Sequence, residues 1–303
     1  MAVITGSSRG LGLAIARELA RAGCRVVLSA RDSDELEQAR MDVESIGGEV
    51  IVLLCDVTSR DDARNLIDES VKRFGSVDIL INNAGAISVG PLETQTIEDF
   101  ERAMGVMFWG TVYSTFAALP HMRQQRTGHV VNITSVGGKV GVPHLLPYST
   151  AKFAAVGFSE GLHAELAPAG IHVLTVVPGL MRTGSHVNAQ FKGQHRQEFA
   201  WFSLAASMPI TSIGADEAAR RIVSAIENGE TEIVLTWQAA IASRAHGLMP
   251  GLSADVLALI DRVLPSAQNE GQRTQPGWAS RSAISDSPLT TLGEQAADDL
   301  NQR

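Results

Sequence analysis

Thr5-Gly6-Ser7-Ser8-Arg9-Gly10-Leu11-Gly12 joins a short apolar run, Ala2-Val3-Ile4, to a helical stretch, Leu13-Ala14-Ile15-Ala16-Arg17-Glu18-Leu19-Ala20. Strand, glycine-rich turn and helix in that order set backbone N–H groups and a helix N-terminus against a phosphate. The glycines are spaced G-x-x-x-G-x-G rather than G-x-G-x-x-G, so the turn taken alone is a weak signal. Its place at the first strand of the chain makes phosphate binding the expected use.

Working outward, strands and helices alternate. Arg25 to Ala30 reads as a second strand, followed by a helix from about Ser33 to Ile46 that Gly47-Gly48 stops. Val50 to Leu54 is continuously apolar, as in a strand buried on both faces. Cys55-Asp56-Val57 ends it, with Asp56 open to two readings: a partner for an adenine amino group, or a helix cap, for which Ser59 is the better candidate. A helix through Ala63, Leu66, Ile67, Val71 and Phe74 precedes a fourth strand, Val77 to Ile81, which runs into Asn82-Asn83-Ala84-Gly85. This alternation predicts a Rossmann-type α/β fold, a doubly wound parallel sheet of about seven strands with helices on both faces.

The second strand ends at Ala30-Arg31, where an acidic residue would bind a ribose 2′-hydroxyl and an arginine suits a 2′-phosphate. With Arg9 in the glycine turn, two guanidiniums are expected to converge on one phosphate, which favours NADP(H) over NAD(H). Asp32 lies one place too far on to take the acidic role.

A long apolar helix is expected from Thr94 to about Gln125, serving as deep core or subunit interface. The fifth strand, His129 to Thr134, leads to Ser135. After a loop rich in Gly and Pro, Tyr148 and Lys152 open a helix. Four residues apart, they share one helix face. An ammonium beside a phenol favours the phenolate and equips the tyrosine to give or take a proton near neutral pH. The sixth strand, Ile171 to Val177, ends at Pro178-Gly179, and Glu232 to Thr236 is the seventh.

Three further segments belong to this picture. Residues 184–213 carry Phe191, Phe199, Trp201 and Phe202 and are expected either to form a lid over an apolar substrate or to pack as a helical flap on the core. Residues 238–265 are expected to close the sheet's edge as one or two helices. Residues 266–303 are polar and expected to form a flexible tail beyond a single domain of residues 1–265.

Composition narrows the partners. The 303 residues carry a net charge of −8 without basic blocks, which disfavours nucleic acid and anionic membranes. No apolar run approaches the roughly 18 residues of a membrane span, and no signal peptide is expected ahead of the first strand. The two cysteines, Cys24 and Cys55, read as small apolar residues of a reducing cytoplasm. The eight histidines lack metal-ligand spacing, so no metal is expected.

Taken together, Thr5-Gly6-(x)3-Gly10-Leu11-Gly12, Asp56, Asn82-Asn83-Ala84-Gly85, Ser135, Tyr148-(x)3-Lys152 and Pro178-Gly179 resemble the short-chain dehydrogenase/reductase family over roughly residues 2 to 236. The resemblance implies hydride transfer between a nicotinamide and a carbonyl or alcohol. Tyr148 would be the proton donor, Lys152 would lower its pKa and bind the nicotinamide ribose, and Ser135 would orient the substrate oxygen. Gly6, Ser8, Arg9, Gly10, Leu11, Gly12, Arg31, Asp56, Val57, Asn83, Ala84, Gly85, Pro178, Gly179 and Thr183 would line the cofactor, with Thr183 near its carboxamide. The family often assembles as dimers or tetramers through long helices, which suits the apolar stretch around residues 100–118. One departure stands out. Where the family usually has an asparagine that relays protons to the lysine through water, this chain has Met107, which cannot hydrogen-bond in that way. Two functions therefore stay open: an NADPH-dependent reductase of an apolar ketone or aldehyde, and a slow or inactive NADP(H)-binding sensor or interaction protein.

Overall fold

The structure is a computed structural model and describes residues 1–267, 273–282, 285 and 287–303. Seven strands form its central sheet: β1 (Ala2–Thr5), β2 (Val26–Ala30), β3 (Val50–Leu54), β4 (Ile79–Asn82), β5 (Gly128–Ile133), β6 (Ile171–Val177) and β7 (Glu232–Val234). All pair in parallel, in the order β7-β6-β5-β4-β1-β2-β3. Side chains alternate across the sheet as strand geometry requires. Ala2, Ile4, Val26 and Leu28 join one apolar core, while Val3 and Val27 join the other.

The first core lies under α1 (Gly10–Arg21), α2 (Ser33–Ser45) and α8 (Ala215–Glu227). The second lies under α3 (Arg60–Phe74), α5 (Gly110–Gln125) and the end of α6 (Leu146–Leu166). Connections from β1 run outward through β2 and β3 in one direction, and from β4 through β7 in the other. The chain order therefore reverses between β1 and β4, and a crevice opens beyond their carboxyl ends. Thr5-Gly6 and Asn82-Asn83 meet there.

The long helix expected over residues 94–125 is broken into α4 (Ile97–Met104), a π-helical turn at Gly105–Trp109, and α5. Its backbone bulges at Met107, which is 1% exposed. Single π turns inside helices recur at functional sites. Residues 184–213 take the flap form: α7 (His195–Ser207) packs inward, and Phe191 meets Phe199 and Phe202 edge-on at 5.3 and 5.9 Å between ring centroids. These rings fill a core of their own instead of facing a substrate, and Tyr148 packs against that core.

Two expectations are corrected. The helices of the 238–265 segment, α9 (Trp237–Leu248) and α10 (Pro250–Asp261), do not bury their apolar residues over the sheet edge. Ala239 is buried in α9 and no residue is buried in α10, while Leu248 is 80% exposed. The segment expected as a flexible tail packs onto the domain wherever it is described; its residues 268–272, 283, 284 and 286 lie outside the described residues. Gln275–Pro276 pairs with Gln190–Phe191, and α11 (Thr291–Asp299) docks through Ala297, which is fully buried. Leu300 completes the contact by entering the α1 core. Low hydrophobicity hid this docking, because small residues and backbone groups make most of it.

Candidate functional site

The glycine turn is held closed from beneath. Asn83 donates its side-chain amide to the carbonyls of Thr5 and Gly6 at 3.0 and 2.8 Å, and Thr5 Oγ1 accepts from the Asn83 and Ala84 amides. A Cβ at Gly12 would come within 2.6 Å of Asn83 Nδ2 and 2.8 Å of Ser7 Cα, so only glycine lets α1 approach the turn this closely. Below it, Asn82 donates to Thr115 Oγ1 at 3.0 Å and to Asn132 Oδ1 at 2.8 Å, and Asn132 donates to Ser159 at 2.9 Å. This buried polar chain ties β4, β5, α5 and α6 into one rigid support.

Gly6 thus lies against Ala84 and Gly12 against Asn83, while Gly10 faces Gln302 and Thr183. The N-cap of α1, Arg9, makes no side-chain cap, and the first turn holds no acidic residue, so its amides suit an anion. That donor set and the close glycine approach fit a dinucleotide phosphate. The residues that accept from it here come from the chain itself: Leu300 O takes the Gly10 amide at 2.9 Å.

The two arginines have different partners. Arg9 pairs with Glu35 Oε1 at 2.7 Å, and Ser8 donates to Glu35 Oε2 at 2.9 Å. Arg31 instead acts on Asp56. Burial pushes that carboxyl up, but the Thr58 amide and hydroxyl, with the Arg31 guanidinium, outweigh it and hold Asp56 below the usual carboxylate range. Asp32 caps α2 by accepting from the Asp34 and Glu35 amides, and Ser59 caps α3. Val57 is buried in the second core, where a Cβ on Gly110 would meet it at 2.9 Å. Glu35 was not singled out in the sequence; as an exposed-looking acid in the first turn of α2 it gave no sign that it would reach back to the glycine turn.

At the other end of the crevice, Ser135 ends β5, and its hydroxyl accepts from the Gly137 amide at 3.0 Å. Pro147 at the start of α6 fixes where the helix begins. Tyr148 and Lys152 follow on one face, the ammonium 5.8 Å from the phenol ring's centroid. Lys152, 5% exposed, donates to Ile133 O at 2.7 Å. Burial lowers the Lys152 pKa to about 8. Burial also pushes the Tyr148 phenol up, the nearby Ser135 hydroxyl opposing this by a smaller amount. The expected depression of the phenol by Lys152 is therefore not what dominates: desolvation drives both groups toward their neutral forms.

Met107 lies against Ala103, Ala151 and Tyr148, so the thioether that replaces the family's usual asparagine stands beside the phenol. Thr111 bonds to its backbone, donating to Met107 O at 3.0 Å. Ile87, Ala103, Arg102 and Gln190 line a cavity of about 30 Å³ beside Tyr148. Pro178 O accepts from the Val136 amide at 2.7 Å, joining the Ser135 loop to the end of β6. Gly179 sits under Thr236, and Thr183, 4% exposed, turns its carbonyl toward the side chain of Gln302 at 3.1 Å.

Sequence reasoning also missed two buried pairs of ionisable side chains that join the flap to its neighbours. Lys192 is hydrogen-bonded to Asp99 with both side chains almost wholly buried. His144 Nδ1 and Glu198 Oε1 are 2.8 Å apart, and Trp201 donates to Glu198 Oε2 at 2.7 Å. Single charged residues in a polar stretch carry no sequence signal of burial. Among the described residues, no group of three His, Cys, Asp or Glu side chains is placed to hold a metal, and no helix is long and apolar enough to cross a membrane.

Comparison with known proteins bears on this arrangement. The short chain dehydrogenase family model matches residues 1–192. A putative oxidoreductase of Mycobacterium tuberculosis, SadH, is 35% identical over 245 residues, covering 79% of this chain and 87% of that protein. A short-chain dehydrogenase/reductase from Burkholderia phymatum, solved in complex with NAD, superposes with a TM-score of 0.75 at 26% identity, over 83% of this chain and 94% of that one. A variant of actinorhodin polyketide ketoreductase, solved with NADPH, gives a TM-score of 0.70 at 31% identity, over 77% of this chain and 94% of that one. With its parallel sheet, its glycine turn and the Ser135, Tyr148 and Lys152 cluster, the chain belongs to the short-chain dehydrogenase/reductase family of oxidoreductases.

Proposed function

We propose that the protein is an NADP(H)-dependent oxidoreductase that interconverts an apolar ketone or aldehyde and its alcohol. The observation that carries this reading is the convergence of Ser135 and Lys152 on Tyr148, whose ring lines a small cavity. When bound, the nicotinamide supplies or accepts the hydride. Tyr148 gives its phenolic proton to the substrate oxygen in reduction and takes it back in oxidation. Ser135 donates a hydrogen bond to the same oxygen and stabilises the charge that develops there. Lys152, with a pKa near 8, restores the phenol's proton and stays largely cationic at neutral pH. Gly6, Gly10 and Gly12 receive the pyrophosphate, Asn83 holds the turn in shape, and Thr183 meets the carboxamide.

Arg9 and Arg31 support the 2′-phosphate, although Arg9 must first leave Glu35. The apolar side chains of Ile87 and Ala103 in the cavity beside Tyr148 support an apolar substrate. Trp109 and Phe116, 46% and 62% exposed, support a homo-oligomer built on the α4–α5 face. The test is NADPH consumption by purified protein across a panel of ketones and aldehydes, with Tyr148→Phe alongside. Turnover lost in the variant is the expected result; undiminished turnover rules out the tyrosine mechanism.

Met107 favours a second reading, a slow or silent NADP(H)-binding protein. Its buried sulfur offers the site no hydrogen-bond donor. NADPH binding without turnover, with turnover restored by Met107→Asn, would support it.

A further inference from the structure

The segment that follows α11 runs along the crevice, and each of its residues takes hold of a different part of it. Leu300 presents its carbonyl to the Gly10 amide at 2.9 Å. This is the donor at the start of α1 that a phosphate oxygen would use. Asn301 turns into the left-handed region, with φ +56°, and donates its side-chain amide to Ser8 O at 3.0 Å and Glu35 O at 3.2 Å. Gln302 reaches the neighbouring Thr183, donating to its carbonyl at 3.1 Å. Its own carbonyl and Oε1 accept from Asn188 at 2.9 and 2.8 Å. A Cβ on Gly10 would lie 2.8 Å from Gln302 Nε2, so this side chain fills the space that the glycine leaves open. Leu300 and Gln302 are 3% and 7% exposed, and this part of the chain is packed into the crevice rather than resting over its mouth.

We propose that residues 300–302 are an internal plug of the dinucleotide crevice, and that the cofactor binds only after they withdraw. The proposal rests on the reading above that this crevice takes NADP(H). Three consecutive residues span the three points the dinucleotide needs: the Ser8–Glu35 edge at the adenosine ribose, the Gly10 amide at the pyrophosphate, and Thr183 at the nicotinamide end. Carbonyls and amide groups are neutral substitutes for phosphate and carboxamide, so they satisfy the same donors and acceptors with weaker bonds than a charged phosphate forms. A protein held mostly in the plugged form binds with an apparent Kd raised by the reciprocal of the open fraction. The plug is fastened by Leu300 in the α1 core, by Arg17 donating to Asp299 O at 2.8 Å, and by the buried Ala297 of α11.

The experiment compares NADPH and NADH affinity, read by quenching of protein fluorescence, for the full chain and a chain ending at Asp299. Asn301→Ala combined with Gln302→Ala serves as a second variant that keeps the backbone. The same titrations are followed by hydrogen–deuterium exchange of residues 291–299. The expected result is NADPH binding about tenfold tighter in both variants, with α11 amides exchanging faster in the full chain once NADPH saturates it. Unchanged affinity in both variants overturns the plug, as does weaker affinity, which would make the segment a clamp over bound cofactor. Affinity for neither nucleotide in any form overturns the plug and the cofactor reading together, whereas tight binding unaffected by the variants removes the plug alone.

Discussion

The Lys152 ammonium lies 2.7 Å from the Ile133 carbonyl, in surroundings that leave it 5% exposed. A single backbone carbonyl only partly compensates a buried charge. That imbalance lowers the lysine's pKa from 10.5 to about 8 and makes the site costly to the folded state. A lysine whose folded pKa is depressed binds its proton less well than the unfolded chain does between pH 8 and 10.5. Stability from this group therefore rises with pH across that window. Lys152→Met removes the charge. Melting curves should show the variant ahead of the parent by up to about 3 kcal/mol at pH 7, with most of the gap gone at pH 10. A gap that stays constant would mean that the lysine is not charged and desolvated as described.

Lys192 and Asp99 make a buried ion pair between the first strand of the flap and the start of α4. Asp99 also accepts from the Thr96 amide at 2.8 Å, completing a capping box. Burial pushes the Asp99 carboxyl up, but the Lys192 ammonium and the Thr96 amide outweigh it and hold it low. Arg102 lies 3.2 Å from the other Asp99 oxygen but is half exposed, so removing Lys192 leaves the carboxylate with a weaker cation, and Lys192→Ala should cost about 3 kcal/mol by urea unfolding. Lys192→Met with Asp99→Leu should cost less than either single change. A cost for the pair equal to the sum of the singles would mean that the two groups do not interact.

How much of this was legible beforehand depended on the kind of residue. The sheet could be read because its strands are short apolar runs between helical stretches, and because a Cβ at Gly6 or Gly12 would run into backbone. Val50–Leu54, expected to be buried on both faces, is instead the edge strand, with Leu54 63% exposed. Ser135, Tyr148 and Lys152 could be singled out because their spacing on a strand end and a helix face is what the proposed chemistry needs. The partners of charged residues could not be read. Arg9 goes to Glu35 and Arg31 to Asp56 through tertiary proximity that no spacing encodes. The plug formed by Leu300, Asn301 and Gln302 was hidden for the same reason, since a polar segment gives no period to read.

His144 and Glu198 join the loop before Tyr148 to the flap helix α7, and Trp201 takes the second carboxylate oxygen. Glu198→Ala breaks both contacts at once and frees α7 from the wall that backs the phenol. Under the proposed function, the variant should raise KM for an apolar carbonyl substrate by about tenfold while leaving the NADPH Kd unchanged. Trp201→Phe, which keeps the His144 contact, should have the smaller effect. An equal loss in NADPH affinity would show that the pair supports the whole fold rather than the substrate wall.

His186 lies in the turn Ser185–Val187, under α11, with its ring 5.8 Å from that of Phe199. Burial, reinforced by the Arg281 and Arg303 guanidiniums, lowers its pKa from 6.5 to about 4, while Glu294 lies 3.5 Å from Nε2. A histidine with a depressed folded pKa is neutral in both states above pH 6.5 and adds no penalty there. Between pH 6.5 and 4 the unfolded chain takes up a proton that the folded one refuses, so stability falls as the pH falls. The loss attributable to this residue should reach about 3 kcal/mol by pH 4. His186→Phe lacks the titration. The stability difference between parent and variant should therefore shift by that amount between pH 7 and pH 4 in urea unfolding. A difference independent of pH would show that His186 does not keep its neutral form under α11.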